Sequence, residues 1–372
     1  MTTILLAAGG TGGHLFPAEA LAHELIARGY TVELVTDDRA GRFAERFPVK
    51  EVHHVRSATF ASKNPIAIFK TLWTLWRGFR EAGALVRKLR PAVVVGFGGY
   101  PTVPPLMAAT RAGRPTIVHE QNAVMGRANK FLARRVDRIA AGIAQESAEP
   151  AIAAKIIVTG NPVRPAVLKA AERPYAAAGP DEPFRLVVFG GSQGASFFSD
   201  AVPRAIEQLP EDLRRRLTVT QQARAEDEAR VRAFYTEHGI PADVSPFFSD
   251  MAERIGTAHL VVSRSGASTV SEISVIGRPA ILVPFPYALD HDQAANAAKL
   301  QAEGAAIVVQ QSELPPGRLA GLIADIAGSP ERAAAMAAAA RATSLPNAAA
   351  LLADLVVSMP GVEEQGQSKV GE

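Results

Sequence analysis

The stretch that decides the fold is Ile4–Leu5–Leu6–Ala7–Ala8–Gly9–Gly10–Thr11–Gly12–Gly13–His14. Its first five residues are apolar and predict a buried strand. The residues that follow have the apolar spacing of a helix: Leu15, Ala18, Leu21, Ala22, Leu25 and Ile26. A strand, a glycine loop and a helix in this order direct backbone N–H groups and a helix N-terminus to one place. The stretch therefore predicts an α/β unit whose loop binds an anion, phosphate above all.

The loop matches neither of the two commonest phosphate motifs. A dinucleotide fingerprint that starts at Gly10 needs a glycine where Leu15 stands, and a P-loop needs a lysine where His14 stands. We therefore expect a diphosphate-type ligand, with a nicotinamide-dependent oxidoreductase disfavoured. The alternative is a tight strand–helix turn that binds no ligand.

Composition sets the broad class of the protein. A chain of 372 residues with 48% hydrophobic residues is long enough for two buried cores. The formal net charge of +3 fits an anionic ligand, a membrane surface or nucleic acid and does not choose between them. The absence of cysteine excludes a disulfide scaffold, a thiolate zinc site and a cysteine nucleophile. We expect no secretory signal at the N-terminus and no membrane span, since no run of about 18 apolar residues occurs.

Short apolar runs alternate with helical patterns along the whole chain, which is typical of parallel sheets covered on both faces. The opening unit recurs at Arg185–Phe189, where a predicted strand is followed by the loop Gly190–Gly194. Two such units predict two similar α/β domains. The predicted strands are Ile4–Ala8, Thr31–Val35, Ala92–Phe97, Pro115–His119, Ile139–Ala141, Lys155–Thr159, Arg185–Phe189, Leu217–Thr220, Val244–Phe247, His259–Ser263, Ala280–Pro284 and Ala305–Val309.

Polar residues follow several of these strands, at the sheet edge where open α/β sheets bind ligands. His119–Asn122 is one such group and Ser263–Glu272 is another. Glu272 has two interpretations: it closes a capping box with Thr269, or it accepts hydrogen bonds from a ribose diol. Asp37 ends a strand too, and we favour a plain loop over a ribose contact there.

A metal interpretation of Asp290, His291 and Asp292 is weak, because neighbouring residues seldom converge on one ion.

A long helix is predicted from Pro65 to Arg90, with Gly78 and Gly83 as potential break points. It contains both tryptophans, Trp73 and Trp76, among basic residues. Aromatic anchors with basic neighbours suit an anionic membrane interface, whereas a core helix with a solvated basic edge explains the same pattern.

Together these motifs resemble the MurG family of peptidoglycan N-acetylglucosaminyltransferases. The resemblance covers nearly the whole chain, from Ile4 to about Val357, in order. The residues that carry it are Gly9–His14, Gly98–Tyr100, His119–Asn122, Gly160–Arg164, Gly190–Gly194, Arg264–Ala267 with Glu272, and Asp290 with Gln293 and Asn296.

The resemblance implies an α/β fold of the GT-B type, with two Rossmann-like parallel-sheet domains and an interdomain cleft. Residues 1–163 would form the acceptor-binding domain, joined by the C-terminal helix 346–358. Residues 164–345 would form the donor-binding domain, and residues 359–372 a disordered tail.

The implied reaction is inverting transfer of GlcNAc from UDP-GlcNAc to the 4-hydroxyl of the muramoyl sugar in lipid I, giving lipid II for cell-wall synthesis. The implied partners are these two substrates, the inner membrane surface and other cell-wall synthesis proteins, without nucleic acid. The enzyme would lie at the cytoplasmic face of the bacterial inner membrane. The layout requires no metal or other cofactor, because amides and helix dipoles can stabilise the leaving diphosphate.

By the same resemblance, the second domain holds the donor. Ser192 would bind its diphosphate, Glu272 its ribose, and the backbone of Phe248 its uracil. Gln293, Asn122 and Arg164 would contact the GlcNAc. The residues that would line the diphosphate and sugar are Ala267, Ser268, Thr269, Val270 and Ser271.

The first glycine loop would receive the acceptor's diphosphate and reach the donor sugar when the cleft closes. His14 is the candidate general base, because a helix N-terminus lowers the pKa of a histidine and keeps it neutral. The alternative for His14 is a hydrogen bond to the acceptor's diphosphate, and Glu120 is the rival base. Thr11, Gly12 and Gly13 of this loop would bind substrate, and the acceptor-side residues are Gly9, Gly10, Tyr100 and Asn129.

Asp292 departs from the family pattern, which usually has a second glutamine before Gln293, and this could alter the donor-sugar contacts. Two other classes of function remain open. One is another UDP-sugar transferase or a UDP-GlcNAc epimerase of the same fold. The other is a UDP-sugar sensor that binds nucleotide without turnover.

Overall fold

A computed structural model describes residues 2–9, 12–37, 40, 47–57, 64–145, 147–191, 194–288 and 292–363, with only the backbone at 65–70 and 72. The chain forms two compact units. The first contains Met1–Arg164 and Pro346–Glu372, and the second contains Pro165–Leu345.

The first unit is built on a seven-stranded parallel sheet with the strand order β3-β2-β1-β4-β5-β6-β7. Strand β1 lies inside the sheet, between β2 and β4, and its side chains alternate between two cores. Ile4 and Leu6 belong to one core, and Leu5 and Ala7 belong to the other. The strands are β1 (Thr3–Ala7), β2 (Thr31–Thr36), β3 (Val52–His54), β4 (Val93–Gly96), β5 (Thr116–Glu120), β6 (Arg138–Ala141) and β7 (Ile156–Val158).

Helices cover both faces of this sheet, as the continuous apolar strands require. The helices described in this unit are α1 (Gly12–Ala27), α2 (Pro65–Leu89), α3 (Val103–Arg111), α4 (Arg127–Ala133), α5 (Pro150–Ala153) and, after the second unit, α15 (Ala348–Val357). Helix α15 packs beside α1, where Leu352 and Val356 are fully buried. Arg28, the residue after α1, also forms a 2.6 Å salt bridge with Asp354.

The second unit repeats the plan with six parallel strands in the order β10-β9-β8-β11-β12-β13, the strand order of a Rossmann fold. Its strands are β8 (Phe184–Phe189), β9 (Leu217–Gln222), β10 (Ala242–Ser245), β11 (Leu260–Ser263), β12 (Ala280–Leu282) and β13 (Ala306–Val308). Its helices are α6 (Pro165–Ala171), α7 (Ser196–Ile206), α8 (Glu211–Arg215), α9 (Ala225–Glu237), α10 (Met251–Thr257), α11 (Ala267–Ile276), α12 (Asp292–Ala302), α13 (Pro316–Ala327) and α14 (Pro330–Thr343). The predicted class, two Rossmann-like parallel-sheet domains, is confirmed.

All twelve predicted strands are present, and the sequence missed only the short strand β3 among the strands described. Helix α2 is unbroken at Gly78 and Gly83, contrary to the break considered there. Gly78 has a packing reason instead. A Cβ at this position would lie 1.9 Å from the backbone oxygen of Arg56.

The interpretation of Thr269 and Glu272 as a capping box is wrong. Helix α11 begins at Ala267 with Gly266 as its N-cap, so Thr269 already lies inside the first turn. Glu272 is buried in the second turn of the helix.

The predicted disordered tail falls mostly on residues 364–372, outside the described residues. Before them, Met359 is buried in the core around α1 and α15. Within the described part of the chain, no helix combines the length and hydrophobicity that a membrane span needs.

Candidate active site

In the first unit, the polar segments after β1, β4, β5 and β7 lie at the carboxyl edge of one sheet, because all seven strands are parallel. Two of them touch directly. A Cβ on Gly9 would lie 2.6 Å from Cγ of Pro101, so the backbone after β1 packs against the segment after β4.

His14 lies in the first turn of α1 and is half-buried. Its ring rests on Gly98 and Gly99, where a Cβ would lie 3.3 Å from Nδ1 and 3.4 Å from Cδ2 of the ring, respectively. Both glycines have positive φ angles, 86° and 77°, which other residues rarely adopt. The close approach of the imidazole to this backbone thus depends on glycine for both conformation and space.

The side chain of Gln121 lies beside the ring of His14. Its buried Nε2 donates to the backbone oxygen of Phe97 at 2.7 Å and lies 3.4 Å from Nδ1 of His14. The second distance exceeds that of an ordinary N–H···N hydrogen bond. Gln121 therefore supports the ring without fixing its tautomer.

Glu120, the rival base, is 1% exposed and accepts four hydrogen bonds. Oε1 accepts from the backbone N–H and Nδ2 of Asn122, at 2.9 and 3.1 Å. Oε2 accepts from the N–H of Gly126 at 2.9 Å and from Nδ2 of Asn129 at 2.7 Å. The carboxylate therefore organises the 122–126 loop, and the same network brings the predicted site residues Asn122 and Asn129 together.

His119 connects β5 to the segment after β7. Its Nε2 donates to the backbone oxygen of Gly160 at 3.2 Å, and its ring is completely buried. Burial lowers the pKa of His119 to about 4, so the ring is neutral at neutral pH. Asn161 adds a second tie, because its Nδ2 donates to the backbone oxygen of Gln121 at 3.3 Å.

Arg164 follows this anchored segment at the end of the first unit. Its guanidinium carbon lies 3.8 Å from the centre of the Phe16 ring. Phe16 belongs to the same first part of α1 as His14.

In the second unit, the loop after β8 is held by Gln222 at the end of β9. Oε1 of Gln222 accepts from the N–H of Gly190 at 3.0 Å, and its Nε2 donates to the oxygen of Pro246 at 3.1 Å. A Cβ on Gly190 would lie 2.4 Å from the backbone nitrogen of Ala195. One side chain thus links three strand ends, and the glycine permits the sharp turn into α7.

Arg264 follows β11 and is 5% exposed. Its guanidinium donates to the backbone oxygens of Val283 and Pro284, both at 3.1 Å, and to Oε1 of Gln311 at 2.6 Å. Burial lowers its pKa to about 10, so the charge persists at neutral pH. The structure therefore keeps a buried positive charge directly before the predicted Ala267–Ser271 segment.

Phe248, the predicted uracil neighbour, is buried with its ring 4.2 Å from the guanidinium carbon of Arg254. Arg254 is itself held by Asp243 at 2.7 Å and Asp250 at 2.9 Å. The two carboxylates thereby fix a cation on the Phe248 ring.

Gln293 lies at the start of α12, where its Oε1 accepts from the backbone N–H of Phe285 at 3.0 Å. This contact orients the amide at the carboxyl edge of the second sheet. Asp292, the departure from the family pattern, is the first residue of α12, a favourable place for a carboxylate.

Each unit contains a different set of the predicted site residues. In the first unit, Glu120 accepts hydrogen bonds from Asn122 and Asn129, and Tyr100 begins the 3-10 turn after β4. His14 rests on Gly98 and Gly99, and Arg164 stacks on Phe16. The second unit holds Ala267–Glu272 within α11. The predicted residues Gly10, Thr11, Ser192, Asp290 and His291 lie outside the described residues.

Sequence reasoning gave no individual role to Phe16, Gln121, Gln222 or Arg264, although Gln121 and Arg264 lay within the polar groups after predicted strands. Three of them stand at or directly after the carboxyl end of a strand, which was the available signal for them. Phe16 carried no such signal, because an aromatic residue in a helix is usually a core residue.

One cluster among the described residues has metal-binding geometry, and it lies elsewhere, at the β2–β3 edge. It consists of Glu33, Glu51 and His53, and the His53 Nε2–Glu33 Oε2 distance of 2.6 Å is that of an ion pair or strong hydrogen bond.

On helix α2, Trp73 and Trp76 stack with their ring centres 5.0 Å apart and are 52% and 47% exposed. Arg80 lies over the Trp76 ring at 5.0 Å. The part of the helix whose side chains are described therefore presents an aromatic and basic surface, not a core stripe, at these positions.

Two models of known protein families match the chain. The glycosyltransferase family 28 N-terminal domain matches residues 4–141, and the C-terminal domain of the same family matches residues 185–352.

Curated relatives extend over nearly the whole chain. The chain is 65% identical over 353 residues to a UDP-N-acetylglucosamine--N-acetylmuramyl-(pentapeptide) pyrophosphoryl-undecaprenol N-acetylglucosamine transferase of Rhizobium meliloti (strain 1021), covering 95% of this chain and 94% of the relative. It is 61% identical over 368 residues to the protein of the same name in Mesorhizobium japonicum, covering 99% and 98%. The resemblance drawn from the motifs is confirmed.

Among solved structures, the chain is similar to the crystal structure of Acinetobacter baumannii MurG, with a TM-score of 0.74, 29% identity and coverage of 96% and 100%. A UDP-GlcNAc 2-epimerase from Neisseria meningitidis bound to UDP-GlcNAc has a TM-score of 0.68 at 11% identity, with coverage of 96% and 100%. At that identity, the likeness concerns the fold alone.

The low pKa of His119 predicts acid sensitivity. As the pH falls below 6.5, His119 takes up a proton in the unfolded chain, whereas in the folded chain it stays neutral down to about pH 4. The free energy of unfolding therefore falls as the pH falls through this window. We expect His119→Gln, which can still donate to Gly160, to reduce the loss between pH 6.5 and pH 5 by about 2 kcal/mol.

Denaturant unfolding at the two pH values measures this loss. The exposed His23→Gln is the matched control and should keep the wild-type difference. A wild-type difference in His119→Gln as well would contradict the assignment.

Proposed function

The chain belongs to glycosyltransferase family 28, and on this premise we propose how its two units share one sugar transfer. The enzyme moves GlcNAc from UDP-GlcNAc to the muramoyl-pentapeptide of lipid I and forms lipid II. The observation that carries this function is the high identity, over nearly the full length, to relatives named for that transfer. The 4-hydroxyl of the muramoyl sugar attacks the anomeric carbon of the GlcNAc, with inversion at that carbon.

The second unit binds the donor. Backbone amides of the Gly190–Gly194 loop, with Ser192, bind the diphosphate at the start of α7. Glu272 accepts the ribose hydroxyls, and its failure to cap α11 supports this role, since the helix begins well before it. The backbone at Phe248 contacts uracil, and Ala267–Ser271 line the diphosphate and sugar.

The first unit binds the acceptor. Residues Gly9–Gly13 receive the acceptor's diphosphate at the N-terminus of α1, and Tyr100 and Asn129 belong to the same edge. Asn122 and Arg164 from this unit, together with Gln293 from the other, contact the GlcNAc. The four hydrogen bonds of Glu120 support this division, because they preorganise the loop that carries Asn122.

Glu120 is poorly suited to take a proton from the acceptor, because donors occupy both of its oxygens. His14 is half-buried at the start of α1 and rests on Gly98 and Gly99, which supports an acceptor-side role for it. We propose His14 as the general base, with a hydrogen bond to the acceptor's diphosphate as the competing role.

Stabilisation of the leaving UDP comes from fixed dipoles and charge. The transition state has oxocarbenium character, and negative charge grows on the departing diphosphate. Loop amides and the N-terminus of α7 are oriented before the reaction and therefore stabilise that charge without reorganisation. The buried charge of Arg264 adds a positive potential at the same edge.

The stacked tryptophans of α2 are a membrane-docking surface, and the enzyme acts at the cytoplasmic face of the inner membrane. A lipid-linked acceptor must be met at a membrane. Exposed Trp73 and Trp76 with Arg77 and Arg80 beside them offer both the aromatic and the cationic part of interfacial binding.

The test of function is transfer of labelled GlcNAc from UDP-GlcNAc to a lipid I analogue by the purified protein. We expect product that depends on both substrates. Failure of transfer would refute the function, and conversion of UDP-GlcNAc without the analogue would instead support an epimerase.

For His14, we expect His14→Ala to lose turnover by about 10²–10⁴-fold, the range of general base catalysis, while UDP-GlcNAc binding survives. His14→Gln is the matched variant, since it supplies a hydrogen-bond donor without a titrating base. Equal loss in both variants indicates a base, and substantial recovery in His14→Gln indicates the diphosphate contact. Collapse of donor affinity would contradict both roles.

For the docking surface, replacing Trp73 and Trp76 with Ser should weaken binding to anionic liposomes in a sedimentation assay, because two interfacial anchors are lost. Circular dichroism should remain unchanged. Phe131→Ser, at another exposed aromatic residue of the first unit, is the control. Undiminished liposome binding by the double variant would reject the surface.

A further inference from the structure

The segment that carries Arg164 has a fixed backbone and a long side chain. His119 holds Gly160, and Gln121 holds Asn161 through its backbone oxygen, so the chain is anchored three and four residues before Arg164. The arginine itself has four rotatable side-chain bonds. Its use as a sugar contact therefore requires something that orders the guanidinium.

Phe16 is in position to do this. The guanidinium carbon of Arg164 lies 3.8 Å from the ring centre, the shortest cation–π distance among the described residues. Stacking on an aromatic face restricts the planar guanidinium but leaves its edge N–H groups directed away from the ring. The ring is thus a platform that orders Arg164 and permits it to donate.

The location of Phe16 makes the platform rigid. It lies in α1, whose neighbouring residues Leu15, Pro17 and Ala18 are buried in the first unit. A ring fixed by a packed helix lowers the entropy that Arg164 loses when a ligand binds.

We propose that Phe16 is a positioning residue for the donor sugar: it holds Arg164 in the orientation that contacts the GlcNAc of UDP-GlcNAc. This inference rests on the proposed function, in which Arg164 touches that sugar. Phe16 acts through Arg164 and does not touch the reacting atoms.

The experiment compares Phe16→Leu with Phe16→Tyr, in transfer kinetics and in calorimetric titration with UDP-GlcNAc and with UDP. Loss of one partly exposed cation–π contact should raise the KM and Kd for UDP-GlcNAc about fivefold in Phe16→Leu. The Kd for UDP, which lacks the sugar, should not change, and kcat should stay within about twofold of wild type, since the contact is with the ground-state sugar. Phe16→Tyr keeps the aromatic face and should behave as wild type.

A double-mutant comparison tests whether Phe16 acts through Arg164. In an Arg164→Ala background, Phe16→Leu should have no further effect on UDP-GlcNAc binding. Phe79→Leu is the matched control, because Arg111 lies 4.5 Å from the Phe79 ring in the same unit, away from the proposed contact. Phe16→Met replaces Phe16→Leu if the leucine variant does not fold.

Three outcomes overturn the proposal, in addition to unaltered donor binding in Phe16→Leu. These are equal weakening of UDP and UDP-GlcNAc, a fall in kcat with unchanged KM, and an additive effect in the Arg164→Ala background. Wild-type protein that neither binds nor transfers GlcNAc would refute the proposed function itself. Wild-type transfer with unaltered donor binding in Phe16→Leu would refute the role of Phe16 alone.

Discussion

The parallel alignment of the strands is the constraint on which the site depends. In each unit every strand ends at the same edge, so segments far apart in sequence are brought side by side. Gly9 meets Pro101 in this way, and His119 meets Gly160. A polar residue after a buried strand therefore acquires neighbours that its own sequence surroundings do not supply. The same constraint operates twice, once in each unit.

Amide and carboxylate side chains then fix these edges. Glu120 gathers four N–H donors, and Gln222 links Gly190 to Pro246. Such groups are buried at a cost unless each is hydrogen-bonded, so a satisfied network stabilises one loop geometry over its alternatives. The networks explain how glycine-rich backbone, which is intrinsically mobile, is held in one conformation. They also engage both oxygens of Glu120, which the sequence offered as the rival base.

Burial decides the charges that remain near the site. His119 is held neutral by its desolvation, whereas Arg264 keeps its proton despite burial, because an arginine starts from a far higher pKa. The sheet edge of the first unit thus has an uncharged anchor in His119, and that of the second unit has a permanent positive charge in Arg264. In the proposed function that charge lies on the donor side, where negative charge develops as UDP departs.

The sequence by itself determined the two α/β units, twelve of their strands and the glycine loops, because apolar runs and glycine spacing are local signals. It also sufficed to identify the family, through motifs spread over nearly the whole chain. Only the tertiary structure decided that α11 begins at Ala267, that Glu120 is saturated with donors and that Arg164 stacks on Phe16. These facts depend on contacts between distant segments, and no local pattern encodes which side chains will meet at a sheet edge.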